Sequence, residues 1–215
     1  MELSAGLGKS GIELAKKYGA KVTLSDIDTS RLEKATDLVN KLGLSNLITV
    51  KKMDMFDTEI ALGSGEKFDV AQTEASLTHY PRSRKAKFFN DIAKHADKFI
   101  LHEVCFKTEN KALQDLTKKD MSKVLNIGFV PETSETWQQL LSDAGFATIN
   151  YVSTGDLTLL DPISLIKDEG VLGFANIVFN AVTQPYLRSR MLATRRTISM
   201  HSKELGYITI IASKK

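Results

Sequence analysis

The chain opens on Met1-Glu2-Leu3-Ser4-Ala5-Gly6-Leu7-Gly8-Lys9-Ser10-Gly11, in which Gly6, Gly8 and Gly11 have the G-x-G-x-x-G spacing. Behind them Ile12, Leu14, Ala15 and Tyr18 recur at helical spacing as a buried face, and Gly19 closes the run. The stretch predicts a strand end, a tight turn and a helix. A turn at positive φ favours a residue without Cβ, and bare backbone beside a helix N-terminus suits a nucleotide-like ligand. Taken alone, the spacing describes a ligand-free turn equally well, so the rest of the chain decides. Only Met1 to Leu3 precede the turn, whereas a parallel strand usually supplies about five residues. The expectation is either a shortened first strand or a natural start upstream of Met1.

Working outward, Lys21 to Asp26 reads as a short buried strand ending in an acid, and Asp28, Thr29 and Ser30 are cap candidates for the next helix. That helix carries Leu32, Ala35, Leu38, Val39 and Leu42 before Gly43. A third strand, Leu47 to Met53, leads to Asp54, and a fourth, Phe68 to Thr73, ends at Glu74. Three successive strands thus end in a carboxylate. In an open parallel sheet ligands bind outside the carboxyl ends of the strands, so Asp26, Asp54 and Glu74 would gather on the rim where the glycine turn lies.

A loop with His79, Tyr80 and Pro81 follows, then a helix with Ala86, Phe88, Phe89, Ile92 and Ala93 inward, and a fifth strand, Lys98 to Cys105. Thr108 to Leu125 reads as helical with Leu113, Leu116 and Met121 as anchors. Thr133 and Ser134 cap a helix bearing Trp137, Leu140, Leu141 and Ala144, closed by Gly145, and Phe146 to Ser153 reads as a sixth strand. Residues 161–205 break the alternation as a helical insertion, apolar almost all round over Val171 to Val182. Pro185 opens its second helix, with Leu187, Met191, Thr194 and Ile198 on one face and an end at Gly206. Tyr207 to Ala212 is the last strand. The prediction is a single α/β domain over 1–215, with a seven-stranded, mostly parallel, Rossmann-like sheet and helices on both faces.

Composition bounds the function classes. The 215 residues suffice for one buried domain, and 29 basic against 26 acidic residues are interspersed, which offers no concentrated footprint for nucleic acid. The single cysteine, Cys105, forms no internal disulfide and suits a reducing compartment, and no apolar run approaches the roughly 20 residues of a spanning helix. A cytoplasmic protein acting away from nucleic acid and membrane is the expectation. His102-Glu103 lacks a further ligand at metal-binding spacing, so no metal is expected, His102 reads as a core or supporting histidine, and Cys105 as a small buried residue.

The order of these motifs resembles the class I S-adenosylmethionine-dependent methyltransferases over nearly the whole chain. Glu2-Leu3-Ser4-Ala5-Gly6-Leu7-Gly8 resembles the family's E-x-G-x-G-x-G turn, with Ser4 where the family usually has glycine. The resemblance implies that Glu2, Ser4, Gly6 and Gly8 form the cofactor turn. It further implies that Asp26 meets the ribose, that Asp54 with Met55 meets the adenine, that Ile27 also lies against the cofactor, and that Glu74 lies by the methionine part of the cofactor and the substrate. It also implies an antiparallel last strand beside the fifth. Glu74-Ala75, His102 to Cys105 and Leu165 to Gly170 look like an uncharacterised bacterial subgroup, whose substrate the likeness leaves open.

The implied activity is transfer of a methyl group from S-adenosylmethionine to a small-molecule acceptor, leaving S-adenosylhomocysteine. Holding the acceptor about 3 Å from the methyl and excluding water is the main task, with a base needed only where the acceptor must lose a proton. His79 and Glu74 are the candidates for that base and Tyr80 for positioning. The insertion is expected either to roof the site or to form a homodimer contact. A cofactor-binding protein without catalysis stays open, and a nicotinamide-dependent oxidoreductase shares the glycine spacing and Asp26 but leaves Glu2 and Asp54 without a role.

Overall fold

A computed structural model describes residues 1–63, 65–157, 173 and 177–215. Strand β1 (Glu2–Leu3) runs into helix α1 (Lys9–Tyr18), and β2 (Val22–Asp26), α2 (Thr29–Lys41) and β3 (Ile48–Lys52) follow. Next come α3 (Thr58–Leu62), β4 (Phe68–Glu74), α4 (Arg82–Ala93), β5 (Ala96–Phe106) and α5 (Lys111–Leu125). The last part comprises β6 (Glu132–Thr133), α6 (Ser134–Asp143), β7 (Thr148–Asp156), α7 (Pro185–Met200) and β8 (Leu205–Ser213).

The strands form one sheet in the order β3-β2-β1-β4-β5-β8-β7, with β6 paired to β5. Strands β1 to β6 pair in parallel, and β8 is antiparallel to both β5 and β7. The chain moves outward from β1 to β3 and then returns to β4 on the other side of β1. That reversal opens a crevice at the carboxyl ends of β1 and β4, the place where an open α/β sheet receives ligands. The fold agrees with the sequence expectation, the antiparallel last strand included.

Strand alternation sets the two faces. Leu3, Ala71, Phe99 and Leu101 pack with Phe88, Phe89 and Ile92 of α4 and Trp137 and Leu141 of α6. On the opposite face Val22, Leu24 and Ile48 meet Ile12 and Ala15 of α1 and Val39 of α2. A third cluster joins Val104 and Phe106 to Met121, Phe129, Ile198 and Leu205. It ties α5 and α7 to the rim end of β5.

Several sequence expectations shift. Among the described residues the sheet has eight strands, because Glu132–Thr133 adds a short pair to the end of β5. Leu14 and Tyr18 of α1 are 37% and 68% exposed, since α1 approaches β2 along Gly11, Ile12 and Ala15 alone. In α5 the buried positions are Gln114, Thr117 and Met121, while Leu113 and Leu116 face outward. The helix expected to reach Gly206 ends at Met200, because Leu205 and Gly206 already pair with Phe106 and Cys105. Leu165 to Gly170, together with Val171, Leu172 and residues 174–176 of the apolar stretch, lie outside the described residues, while Val178, Phe179 and Val182 are exposed.

Candidate active site

The glycine turn is built from two kinds of glycine. Gly6 has φ 58°, and a Cβ placed there would point into open space. Its N–H donates to Asp26 Oδ2 at 2.8 Å. Gly11 lies against the sheet instead, where a Cβ would meet Leu24 Cδ2 at 2.5 Å and Glu2 Oε2 at 2.6 Å. Gly8, at φ 69°, also packs on Leu24. Gly6 therefore leaves room for a ligand, whereas Gly8 and Gly11 let the helix approach β2. Ser4 adopts φ 56°, the left-handed region that glycine enters without penalty, which accounts for glycine at this point in the related turn.

Glu2 is buried beneath this turn and accepts the Gly11 N–H at 2.7 Å through Oε2. Burial raises its carboxyl from 4.5 to about 7, opposed by the Gly11 hydrogen bond and reinforced by the Glu74 charge. It supports the turn from below rather than lining the rim. Asp26 is also buried and accepts from Gly6 N and, at 2.9 Å, from Asp28 N. A carboxylate offers about four lone-pair sites, so two remain for a ligand's donors. The Met53 N–H donates to the Asp26 carbonyl at 2.9 Å, which sets the end of β3 against the end of β2. Asp54 follows immediately, half-buried, its Oδ1 accepting from Phe56 N at 2.9 Å. The two acids therefore emerge at adjoining strand ends on one rim. Ile27 is 62% exposed beside them, while Met55 is turned into the core.

The turn after β4 is organised by a residue that the sequence reading left without a role. Glu103, buried at the rim end of β5, accepts from Ser76 N (2.7 Å) and Leu77 N (2.6 Å) through Oε1. Its Oε2 accepts from Thr78 N (3.2 Å) and the Thr78 hydroxyl (2.6 Å). The available signal was an acid among the largely apolar residues of the second half of β5. A second clamp acts from outside: Val130 N donates to Thr78 O at 2.7 Å, and buried Lys85 donates to Val130 O and, at 2.9 Å, to Glu132. Burial lowers the Lys85 ammonium, with Glu132 acting in the opposite direction. Ala75 holds φ 48°, a second non-glycine residue in the left-handed region at the same edge.

These clamps place Ala75, Thr78 and His79 along a cavity of about 280 Å³. Val104 of β5, Met121 and Leu125 of α5, and Thr194 and Ile198 of α7 supply most of the other walls. His79 Nδ1 lies 2.8 Å from the Gly128 carbonyl. A carbonyl only accepts, so Nδ1 carries the proton, and in the neutral ring Nε2 is the basic nitrogen.

Of the residues singled out in the sequence, the structure brings Ser4, Gly6, Asp26, Ile27, Asp54 and Glu74 to the ends of neighbouring strands, and His79 to the cavity. Glu74 is exposed, with the Ser10 hydroxyl 3.5 Å from its Oε2. Tyr80 is elsewhere: its ring stands edge-on to Phe56 at 4.5 Å, and Arg84 stacks over both rings. His102 is half-buried with Nδ1 2.7 Å from the Thr209 hydroxyl, and Cys105 is a core thiol that burial raises to about 11. Among the described residues no group of three or more His, Cys, Asp or Glu is arranged to hold a metal. No helix among them is long and apolar enough to cross a membrane.

Residues 1–98 match the family model of a methyltransferase domain. An uncharacterized protein of Haemophilus influenzae is 26% identical over 217 residues, which cover 100% of this chain and 83% of the relative. Among solved structures, the geranyl diphosphate C-methyltransferase of Streptomyces coelicolor, in complex with Mg2+, geranyl diphosphate and S-adenosylhomocysteine, has a TM-score of 0.65 at 10% identity. That match covers 100% of this chain and 71% of that one. The [4+2]-cyclase SpnF has a TM-score of 0.70 at 16% identity, with 99% and 73% covered. The first 98 residues thus resemble a methyltransferase domain, and the whole chain shares the fold of these solved structures.

Proposed function

We propose that this protein transfers a methyl group from S-adenosylmethionine to a small-molecule acceptor. The observation that carries this reading is the convergence of the Gly6 turn, Asp26 and Asp54 on the carboxyl ends of β1 to β3, one strand away from the cavity that begins at Ala75. The residues fit the cofactor: open space at Gly6 admits it against bare backbone, and the remaining lone pairs of Asp26 suit a ribose diol. Ile27 and Asp54 stand where an adenine would lie. When bound, the cofactor supplies an electrophilic methyl whose bond to sulfur breaks as the acceptor's nucleophile takes the carbon, the electron pair staying on sulfur. The chain's own task is to orient the acceptor, exclude water and receive a proton where the acceptor carries one. His79 Nε2 serves as that proton acceptor, with Glu74, which precedes the wall residue Ala75, as the alternative and Tyr80 as a packing residue against Phe56.

A second reading, a protein that binds the cofactor without methylating, is favoured by the likeness to a cyclase and by Ser4 in a turn position that the family gives to glycine. Incubation with S-adenosylmethionine and a panel of small acceptors, read by mass spectrometry for a gain of one methyl, separates the two. Methylated product from wild type, reduced about 100-fold in His79→Ala, is the expected result. Cofactor bound without any methylated product supports the second reading.

A further inference from the structure

We infer that the acceptor is an uncharged, largely apolar molecule with a single weakly acidic hydroxyl, of phenol or enol type; this rests on the methyltransferase reading. The cavity is small, near the lower end of the range of about 300 to 1,000 Å³ for ligand sites, and suits one or two fused rings. Its described walls carry no lysine, arginine or carboxylate. Among the described wall residues the one titratable group is His79, whose Nδ1 proton is committed to Gly128 O, which leaves Nε2 without a hydrogen bond among the described residues. Such a nitrogen accepts a hydroxyl proton and offers nothing to a phosphate.

The charge behind the wall points the same way. The Glu103 carboxylate is bonded to the N–H and hydroxyl of Thr78, itself a wall residue, so a negative group lies one residue behind the surface. An acceptor bearing phosphate or carboxylate would lose its hydration, meet no cation among the described wall residues and face that charge. A charged ammonium has no lone pair for attack and would be desolvated among Met121, Leu125 and Ile198. The chain thus parts from its structural neighbour, a geranyl diphosphate C-methyltransferase in complex with geranyl diphosphate and Mg2+.

Calorimetric titration of the full chain, saturated with S-adenosylhomocysteine, with 2-naphthol and with 2-naphthyl phosphate tests this. Wild type should bind 2-naphthol at one site and the phosphate at least about 30-fold more weakly. Thr194→Trp, a half-buried wall position, should weaken 2-naphthol about tenfold while leaving S-adenosylhomocysteine affinity unchanged. Leu125→Lys should narrow the preference for naphthol over phosphate about tenfold by placing a cation in the wall. Equal or tighter binding of the phosphate by wild type, or naphthol binding that Thr194→Trp leaves untouched, overturns the inference. Absence of naphthol binding to a chain that still binds S-adenosylhomocysteine overturns it too and leaves the methyltransferase reading standing. A chain that binds no S-adenosylhomocysteine refutes both.

Discussion

Both turns that form the rim rest on a buried carboxylate, and the two acids are supported differently. Glu103, under the turn after β4, receives four hydrogen bonds from three consecutive residues. Glu2, under the glycine turn, receives one backbone N–H, from Gly11, and its carboxyl is raised to about 7. The lesson is that two buried acids hold their turns by different means, one through four donors from the turn itself and the other through a single backbone N–H. The turn after β4 is locked by its acid, whereas the glycine turn is shaped by the residues that omit a side chain.

The sharpest way to break this contrast is Glu103→Gln, which turns an acceptor oxygen into a donor facing other donors. Unfolding in denaturant should show a loss of about 4 kcal/mol, and a change below 1 kcal/mol would mean that the four bonds do not lock the turn. Glu2 predicts the opposite sense above neutrality. Its proton is held more tightly folded (about 7) than unfolded (4.5), so its contribution to stability is complete below 4.5 and is lost as pH rises through 7. The loss is roughly 3 kcal/mol before relaxation. The buried Met1 amine, lowered to about 6, titrates nearby with the opposite sign, so the test is the difference between wild type and Glu2→Gln. Glu2→Gln should gain on wild type between pH 5 and pH 8, and parallel stability curves would contradict the shift.

The glycines sharpen the comparison at smaller effect. Gly11→Ala must push Leu24 and the Glu2 carboxylate apart and should destabilise by about 2 kcal/mol in thermal unfolding. Gly6→Ala meets no atom and carries only the strain of positive φ, about 1 kcal/mol, yet should weaken cofactor binding more than Gly11→Ala does. The reverse ranking in binding would place the ligand away from Gly6.

How much was legible follows from where each part comes from in the chain. The proposed cofactor half lies within residues 2–55, and Asp26 and Asp54 each follow a strand whose run is visible locally, so both could be named from the sequence. Periodicity misplaced Leu14, Tyr18, Leu113 and Leu116, because an apolar residue one step off the packing stripe looks the same in the sequence. The proposed acceptor cavity draws Ala75, Val104, Met121, Phe129 and Ile198 from separate parts of the chain, and no local pattern joins them. His79 was found as a loop histidine after β4, but its tautomer needed the Gly128 carbonyl, 49 residues on. Glu103 was passed over because only the fold sets it under the turn it holds.

The central claim is that the polar groups at the ends of β1 to β3 grip an adenosyl ligand. Isothermal titration of wild type and Asp26→Ala with S-adenosylhomocysteine, with thermal unfolding as a check that both are folded, tests it most directly. Saturable one-to-one binding by wild type, weakened 10- to 100-fold (about 1 to 3 kcal/mol) in Asp26→Ala, is the predicted result. No binding by folded wild type, or equal affinity in the two chains, would contradict it.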